Sequence, residues 1–278
     1  MTETATYLYC LVRDPERPPA EDLPAAPLGV PAASPPRLLP VADDLWLVAA
    51  DAPLPAYGEA EIAAHLEDLA WVSDRALAHE AVVEHFADPS DAAGAPASSR
   101  AIVPMKLFTL FASDERAVAH VAGELPRVRQ ALDRVAGREE WGVRLRLDRT
   151  TALRAAVPRA AEAVAVQAGQ EDDSPASGRD FLARKKRLRD AAKKRPAEAR
   201  EAAEGAYAAL AGRAAEAVER PIEAAGSLIL DAAFLVPRAE RGAFEEAVAE
   251  QARELAGAHL ELTLTGPWPP YHFVGEGP

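Results

Sequence analysis

The sequence reads as an α+β protein in two domains, and three observations lead there. Short β-branched and aromatic runs, Thr6 to Val12 and Asp43 to Ala50, alternate with stretches of helical period. Prolines crowd the early chain, with eleven of the 24 lying from Pro15 to Pro55. Past residue 150 the composition shifts to alanine-rich helical stretches around an acidic, small-residue linker, GQEDDSPASG. Residues 1–150 are expected to form a ferredoxin-like α/β domain carrying a proline-rich loop insertion. Residues 151–278 are expected to form an α+β domain with a long, coiled-coil-like helical arm and an aromatic-proline terminal segment.

In order along the chain, TYLYCLV reads as a buried first strand and DDLWLVAA as its partner. Proline lacks the amide donor that a sheet ladder needs, so most of Pro15 to Pro55 is expected as loop. From Glu59 to Phe86, Ile62, Leu66, Leu69, Ala76 and Val83 recur on a helical spacing. RAIVPMKLF then reads as a strand, which Pro104 assigns to an edge or a bulge. Ser113 is the expected N-cap of a helix running to about Gly137. In EEWGVRLRLD, Trp141, Val143, Leu145 and Leu147 alternate with polar residues, the pattern of a half-exposed strand.

In the second half a long helix is expected from Arg179 to Glu219, kinked or split at Pro196, with Phe181, Leu188, Ala192, Ala199, Ala203 and Leu210 near one side. SLILDAAFLVP follows as a buried strand, then an amphipathic helix stopped by Gly257, then the alternating strand AHLELTLT.

Nearly half the chain is apolar, yet no uninterrupted apolar run approaches the twenty or so residues that cross a bilayer. The start, MTETATYLY, lacks the basic and apolar regions of a signal peptide. A lone cysteine, Cys10, leaves no internal disulfide framework. These features predict a cytoplasmic protein without membrane insertion. The net charge of −13 repels nucleic acid and anionic lipid everywhere except one stripe. Between Arg179 and Arg195 nine Lys/Arg residues, among them Arg184, Lys185 and Arg187, face only Asp180 and Asp190. The stripe reads either as the solvated face of a long helix or as an electrostatic contact with protein, RNA or lipid.

Catalytic and ligand-binding signatures fail on their spacing. Neither G-x-x-x-x-G-K-[ST] nor G-x-G-x-x-G occurs, so no phosphate-cradling loop is expected. HEAVVEH places His85 six residues after His79, almost opposite it on a helix, with Val83 where a zinc protease needs its second ligand. Cys10 has no basic neighbour in sequence to stabilise a thiolate and reads as core. Ser73, Ser98, Ser99 and Ser113 lack a nucleophile-elbow context. With 44 carboxylates chance pairs are certain, so no acid/base dyad stands out. No enzyme activity, cofactor, metal or small-molecule substrate is expected.

The chain closes with TGPWPPYHFV, in which Pro267, Pro269 and Pro270 force an extended shape at low entropic cost. Trp268, Tyr271 and Phe273 are thereby held in fixed directions. Two compatible uses follow: a latch packed back onto the protein's own sheet, and a rigid apolar surface offered to a partner. The candidate partner-binding residues are Trp268, Pro269, Pro270, Tyr271 and Phe273, with Arg184, Lys185 and Arg187 of the basic stripe.

LTGPWPPYHFV closely resembles the C-terminal signature of the gas vesicle protein F/L family (GvpF/GvpL). TYLYCLV is similar to that family's opening strand and ALAHEAVVEHF to its helix with the His-Glu pair. LILDAAFLVPRAERGAFEEAV resembles the strand and helix before its ending. After Pro104 the family often reads Arg-Phe-Gly-Thr, whereas this chain has Lys106, Leu107, Phe108 and Thr109, which puts any backbone role of that glycine in doubt. The resemblance implies a ferredoxin-like domain followed by an α+β domain with long helices, and no catalytic activity or cofactor. It further implies an accessory or minor structural part of gas vesicles that contacts the hydrophobic shell subunit GvpA and other accessory proteins during assembly. The alternative is a nucleic-acid-binding regulator working through residues 184–195.

Overall fold

The structure, a computed structural model, describes residues 3–15, 20, 22–87, 100–147, 197–222 and 227–275. The chain divides into two compact units, Met1–Glu140 with Pro267–Pro278, and Trp141–Gly266.

The first unit is built around β1 (Thr4–Arg13), which pairs antiparallel with β3 (Leu45–Pro53) on one side. On its other side lie β4 (Ala101–Pro104) and the short β5 (Leu110–Phe111), also antiparallel. β2 (Arg37–Ala42) completes the sheet beyond β3. The order β2-β3-β1-β4, antiparallel throughout, is that of a ferredoxin-like sheet. Central β1 is buried along nearly its whole length. That explains why its sequence is a continuous apolar run rather than an alternation. Pro40 and Pro104 both sit on edge strands, where a missing N–H costs no ladder bond.

One face of this sheet is covered by α3 (Leu69–Ala87), whose Val82, Val83 and Phe86 pack with Tyr7, Tyr9, Val12, Val48 and Ala50. Beside α3, in the place of the crossover helix between the first two strands, runs the proline-rich segment. Its described residues include a 3-10 turn at Leu23–Ala25. Side chains substitute for the missing backbone ladder. The Val30 N–H donates to Tyr9 Oη (3.0 Å), Tyr57 Oη donates to the Pro31 carbonyl (2.7 Å), and His85 Nε2 donates to the Asp22 carbonyl (2.9 Å). Gly29 is required there: its φ is 83°, and a Cβ would stand 2.2 Å from Tyr9 Oη.

After β3 the chain forms α1 (Leu54–Tyr57), α2 (Glu59–His65) and α3. The single helix expected from Glu59 to Phe86 is broken between His65 and Leu69. Asp68 caps the second piece, its Oδ1 accepting from the Ala70 and Trp71 amides at 3.0 and 3.2 Å. The helix expected from Ser113 to Gly137 is likewise two: α4 (Asp114–Gly123) and α5 (Leu125–Val135), with Pro126 in the first turn of the second. The Ser113 cap is present, its hydroxyl accepting from the Arg116 amide.

β6 (Arg138–Leu147) was expected to finish the first sheet. Instead it lies in a second sheet of order β7-β8-β6-β9, with β7 (Glu216–Glu219), β8 (Leu228–Pro237) and β9 (Leu260–Trp268). Trp141, Val143 and Leu145 belong to the second core, and the second compact unit begins at Trp141. α6 (197–211) and α7 (Arg241–Ala256) supply the rest of that core. Ala199, Ala203, Ala206 and Leu210 face it from α6, and Phe244, Val248 and Leu255 from α7. Phe234 joins the two helices, with Tyr207 at 5.7 Å and Phe244 at 5.5 Å between ring centroids. The expected helix to Glu219 stops at 211, because 216–219 pairs antiparallel with β8 through Val218↔Ala233. Any kink at Pro196 lies outside the described residues, as do Phe181, Leu188 and Ala192. Among the described residues no helix is long and apolar enough to cross a membrane.

Candidate partner-binding surface

The terminal segment, Pro267–Pro278, belongs to the first compact unit. Pro269, Pro270 and Phe273 are buried. Two carboxylates anchor the backbone and side chains between them. Tyr271 Oη donates to Glu80 Oε2 at 2.5 Å. Glu140 takes the His272 amide on Oε2 at 2.9 Å and the His272 ring Nδ1 on Oε1 at 2.6 Å. Phe273 is 2% exposed, with the Arg134 guanidinium 6.0 Å from its ring. The Tyr271 and Phe273 amides fold back onto the Pro269 and Pro270 carbonyls, turning the end of the chain tightly. Trp268 stands apart from this pattern: it is 42% exposed. The packing thus puts Tyr271 and Phe273 to the latch use and leaves Trp268 as the aromatic that faces solvent.

Glu80 and Glu140 could not be singled out in the sequence. Glu140 is only 3% exposed, yet in REEWG it looks like one more acid on a half-exposed strand. Burial lifts the Glu80 carboxyl above the usual range, against the lowering effect of the Tyr271 hydrogen bond, and nearby Glu84 and Glu140 raise it further. Burial likewise raises the Tyr271 phenol, reinforced by Glu80.

One residue before Glu80, His79 is enclosed by polar partners on both ring nitrogens. Nε2 lies 3.2 Å from the Met105 carbonyl, which can only accept, so Nε2 carries the proton. Nδ1 then accepts from Tyr7 Oη at 2.8 Å, and Tyr7 in turn accepts from the Phe108 amide at 3.4 Å. Burial depresses the histidine to about 4 and raises the Tyr7 phenol well above its ordinary value. His79 is therefore a neutral tie between α3, β1 and the loop after β4, with neither nitrogen available to a metal. Burial also pushes the Cys10 thiol up, which keeps it protonated. A second tie joins the proline-rich segment to β4: fully buried Arg100 binds Asp14 through Nε at 2.9 Å and Asp22 through Nη1 at 2.6 Å. The sequence signal for it was faint, a single arginine opening an apolar strand. These groups hold elements together, and none forms a convergent reacting centre.

Of the other candidates, Arg184, Lys185 and Arg187 lie outside the described residues.

A family model described as gas vesicle synthesis protein GvpL/GvpF matches residues 5–275. The chain is 34% identical over 292 residues to gas vesicle protein L of Streptomyces sp. (strain CB03234), covering 99% of this chain and 94% of that relative. It is similar in fold to the crystal structure of GvpF from Anabaena sp. PCC7120, with a TM-score of 0.62 over 98% of this chain and 96% of that one. GvpF from Microcystis aeruginosa gives 0.60 over 97% and 98%. Both structures are 16% identical to this chain, so they speak for the fold alone.

Proposed function

The chain belongs to the GvpL/GvpF family of gas vesicle synthesis proteins, and from that premise we propose that it is an assembly factor acting in the cytoplasm at the growing vesicle. Its partners are the hydrophobic shell subunit GvpA and other accessory proteins. A shell subunit exposes apolar surface until it polymerises, and such surface needs a protein to cover it. The observation that carries the reading is the terminal segment. Pro269, Pro270 and Phe273 are buried and Tyr271 is tied to Glu80, so Trp268 projects from a fixed base. A rigid exposed tryptophan loses little freedom on binding and makes an effective interface anchor.

The test is capture of the shell subunit by the full-length protein and by Trp268→Ala. Capture is expected to weaken by about tenfold or more, with the circular dichroism of the variant unchanged. Undiminished capture by a folded variant would remove the terminal segment from the interface.

A further inference from the structure

A groove in the first unit is lined by residues outside the terminal segment. It is bounded by the start of β1, the α1–α2 turn and the strand after the β4 loop, with a volume of about 580 Å³. Leu54, Ile62, Leu66 and Phe108 contribute to its lining. That volume falls within the range of sites that enclose apolar ligands, roughly 300–1,000 Å³.

Three features distinguish this groove from an accidental dent. Leu66, which lines it, is 55% exposed, placed there by the break between α2 and α3. Phe108 lines it with a φ of 64°, a backbone state that bulky side chains avoid and that recurs at ligand clamps. Its ring is held there against Trp71, 5.4 Å between centroids. The charged side chains on the lining, Glu3 and Glu59, are both acidic and both exposed. An apolar floor with an anionic rim repels nucleic acid and anionic lipid. It complements a polypeptide segment that carries aliphatic side chains beside a lysine or arginine.

We propose that this groove seats an apolar segment of a partner polypeptide, flanked by a basic residue that meets Glu3 and Glu59. The proposal rests on the assembly reading insofar as the hydrophobic shell subunit is the protein whose segment is seated.

The full-length protein is titrated with a labelled leucine-alanine helical peptide carrying lysine at its ends, and with the same peptide carrying glutamate. The lysine form is expected to bind about five- to tenfold more tightly. Glu59→Lys should narrow or invert that preference. Leu66→Glu, a change at an exposed position, should weaken the lysine peptide by about tenfold without altering the circular dichroism. Equal binding of the two peptides, or binding indifferent to Leu66→Glu, overturns the proposal. So does self-association of the protein that Leu66→Glu abolishes, since the occupant would then be a second copy. In the same experiment the shell subunit is offered to both proteins. Capture by the wild type and equally by Leu66→Glu sinks the groove and leaves the assembly role standing. No capture by the wild type sinks the assembly role, and the peptide titration still decides the groove.

Discussion

Phe108 occupies a backbone position that suits glycine, because at a φ of 64° a Cβ crowds the following carbonyl at a cost of roughly 1–2 kcal/mol. The family motif that this stretch resembles has glycine at this place, where this chain has Phe108. The strain is held by the Trp71 contact and by the hydrogen bond that the Phe108 amide donates to Tyr7 Oη. Two truncations separate the terms. Phe108→Ala and Phe108→Gly both lose the ring, but only glycine relieves the φ, at an entropic cost of about 0.5–1 kcal/mol in the unfolded chain. Phe108→Gly should therefore be the more stable of the two by about 0.5–1 kcal/mol, the reverse of the usual order. Urea midpoints at equal slopes read this directly, and an alanine variant as stable as the glycine one would refute the strain.

His79 makes a second prediction, one that depends on pH. Its folded-state value is about 4 and its ordinary one 6.5. Below 6.5 the unfolded chain takes up a proton that the folded chain refuses, so stability falls as pH drops from 6.5 towards 4. The limiting loss is about 3 kcal/mol. Raised Glu80 works the other way, since its folded form gains a proton more readily than the unfolded one. Glu80 is common to the wild type and His79→Gln, so the difference between their pH profiles isolates the histidine. That difference should shrink as the pH is lowered through this window. Parallel profiles would mean that His79 is not buried neutral.

Among the elements, the proline-rich crossover depends most on side chains, because prolines cannot supply a ladder. Arg100 is fully buried between Asp14 at the end of β1 and Asp22 in the crossover. Arg100→Met would leave both carboxylates enclosed without the cation, and is expected to cost about 3–5 kcal/mol in denaturant titration. A loss under about 1 kcal/mol would show that the pair is solvated in practice. This cluster also shows what the sequence reveals and what it hides. β1, β3, the Ser113 cap, the edge place of Pro104 and the α7 stripe were legible, since local pattern and tertiary role agree there. The break before Leu69 was not. Leu66 and Leu69 continue the apolar spacing, yet both are exposed, and Asp68 lies between one helix and the next, capping the second. Periodicity records where apolar residues fall, not what covers them. β7 was hidden for a related reason: alanine-rich sequence favours helix until Leu235 and Ala233 of β8 offer a ladder. Glu80, Glu140 and Arg100 act on partners far away in the chain, and no local signal marks such pairings.

The order of the polypeptide and the membership of its units do not coincide, and this has a measurable consequence. The chain leaves the first unit at Glu140, builds the second from Trp141 to Gly266, and gives its last residues back to the first. Removing residues 269–278 therefore acts on the N-terminal unit, although the cut is made at the opposite end of the sequence. It deletes the buried Phe273 ring, worth about 3–5 kcal/mol on its own. It also leaves Glu80 and Glu140 without Tyr271 and His272. Hydrogen exchange should quicken in β1, α3 and α5, whereas β8 and α7, whose core is complete without the segment, should keep their protection. Phe273→Ala should reproduce the direction with a smaller effect. A truncated protein whose protection falls equally in β8 and α7 would show that the two units unfold as one. Protection unchanged in β1 would show that the latch is not closed. Only the pattern in which the first unit loosens and the second does not lets the fixed base beneath Trp268 be ascribed to these contacts.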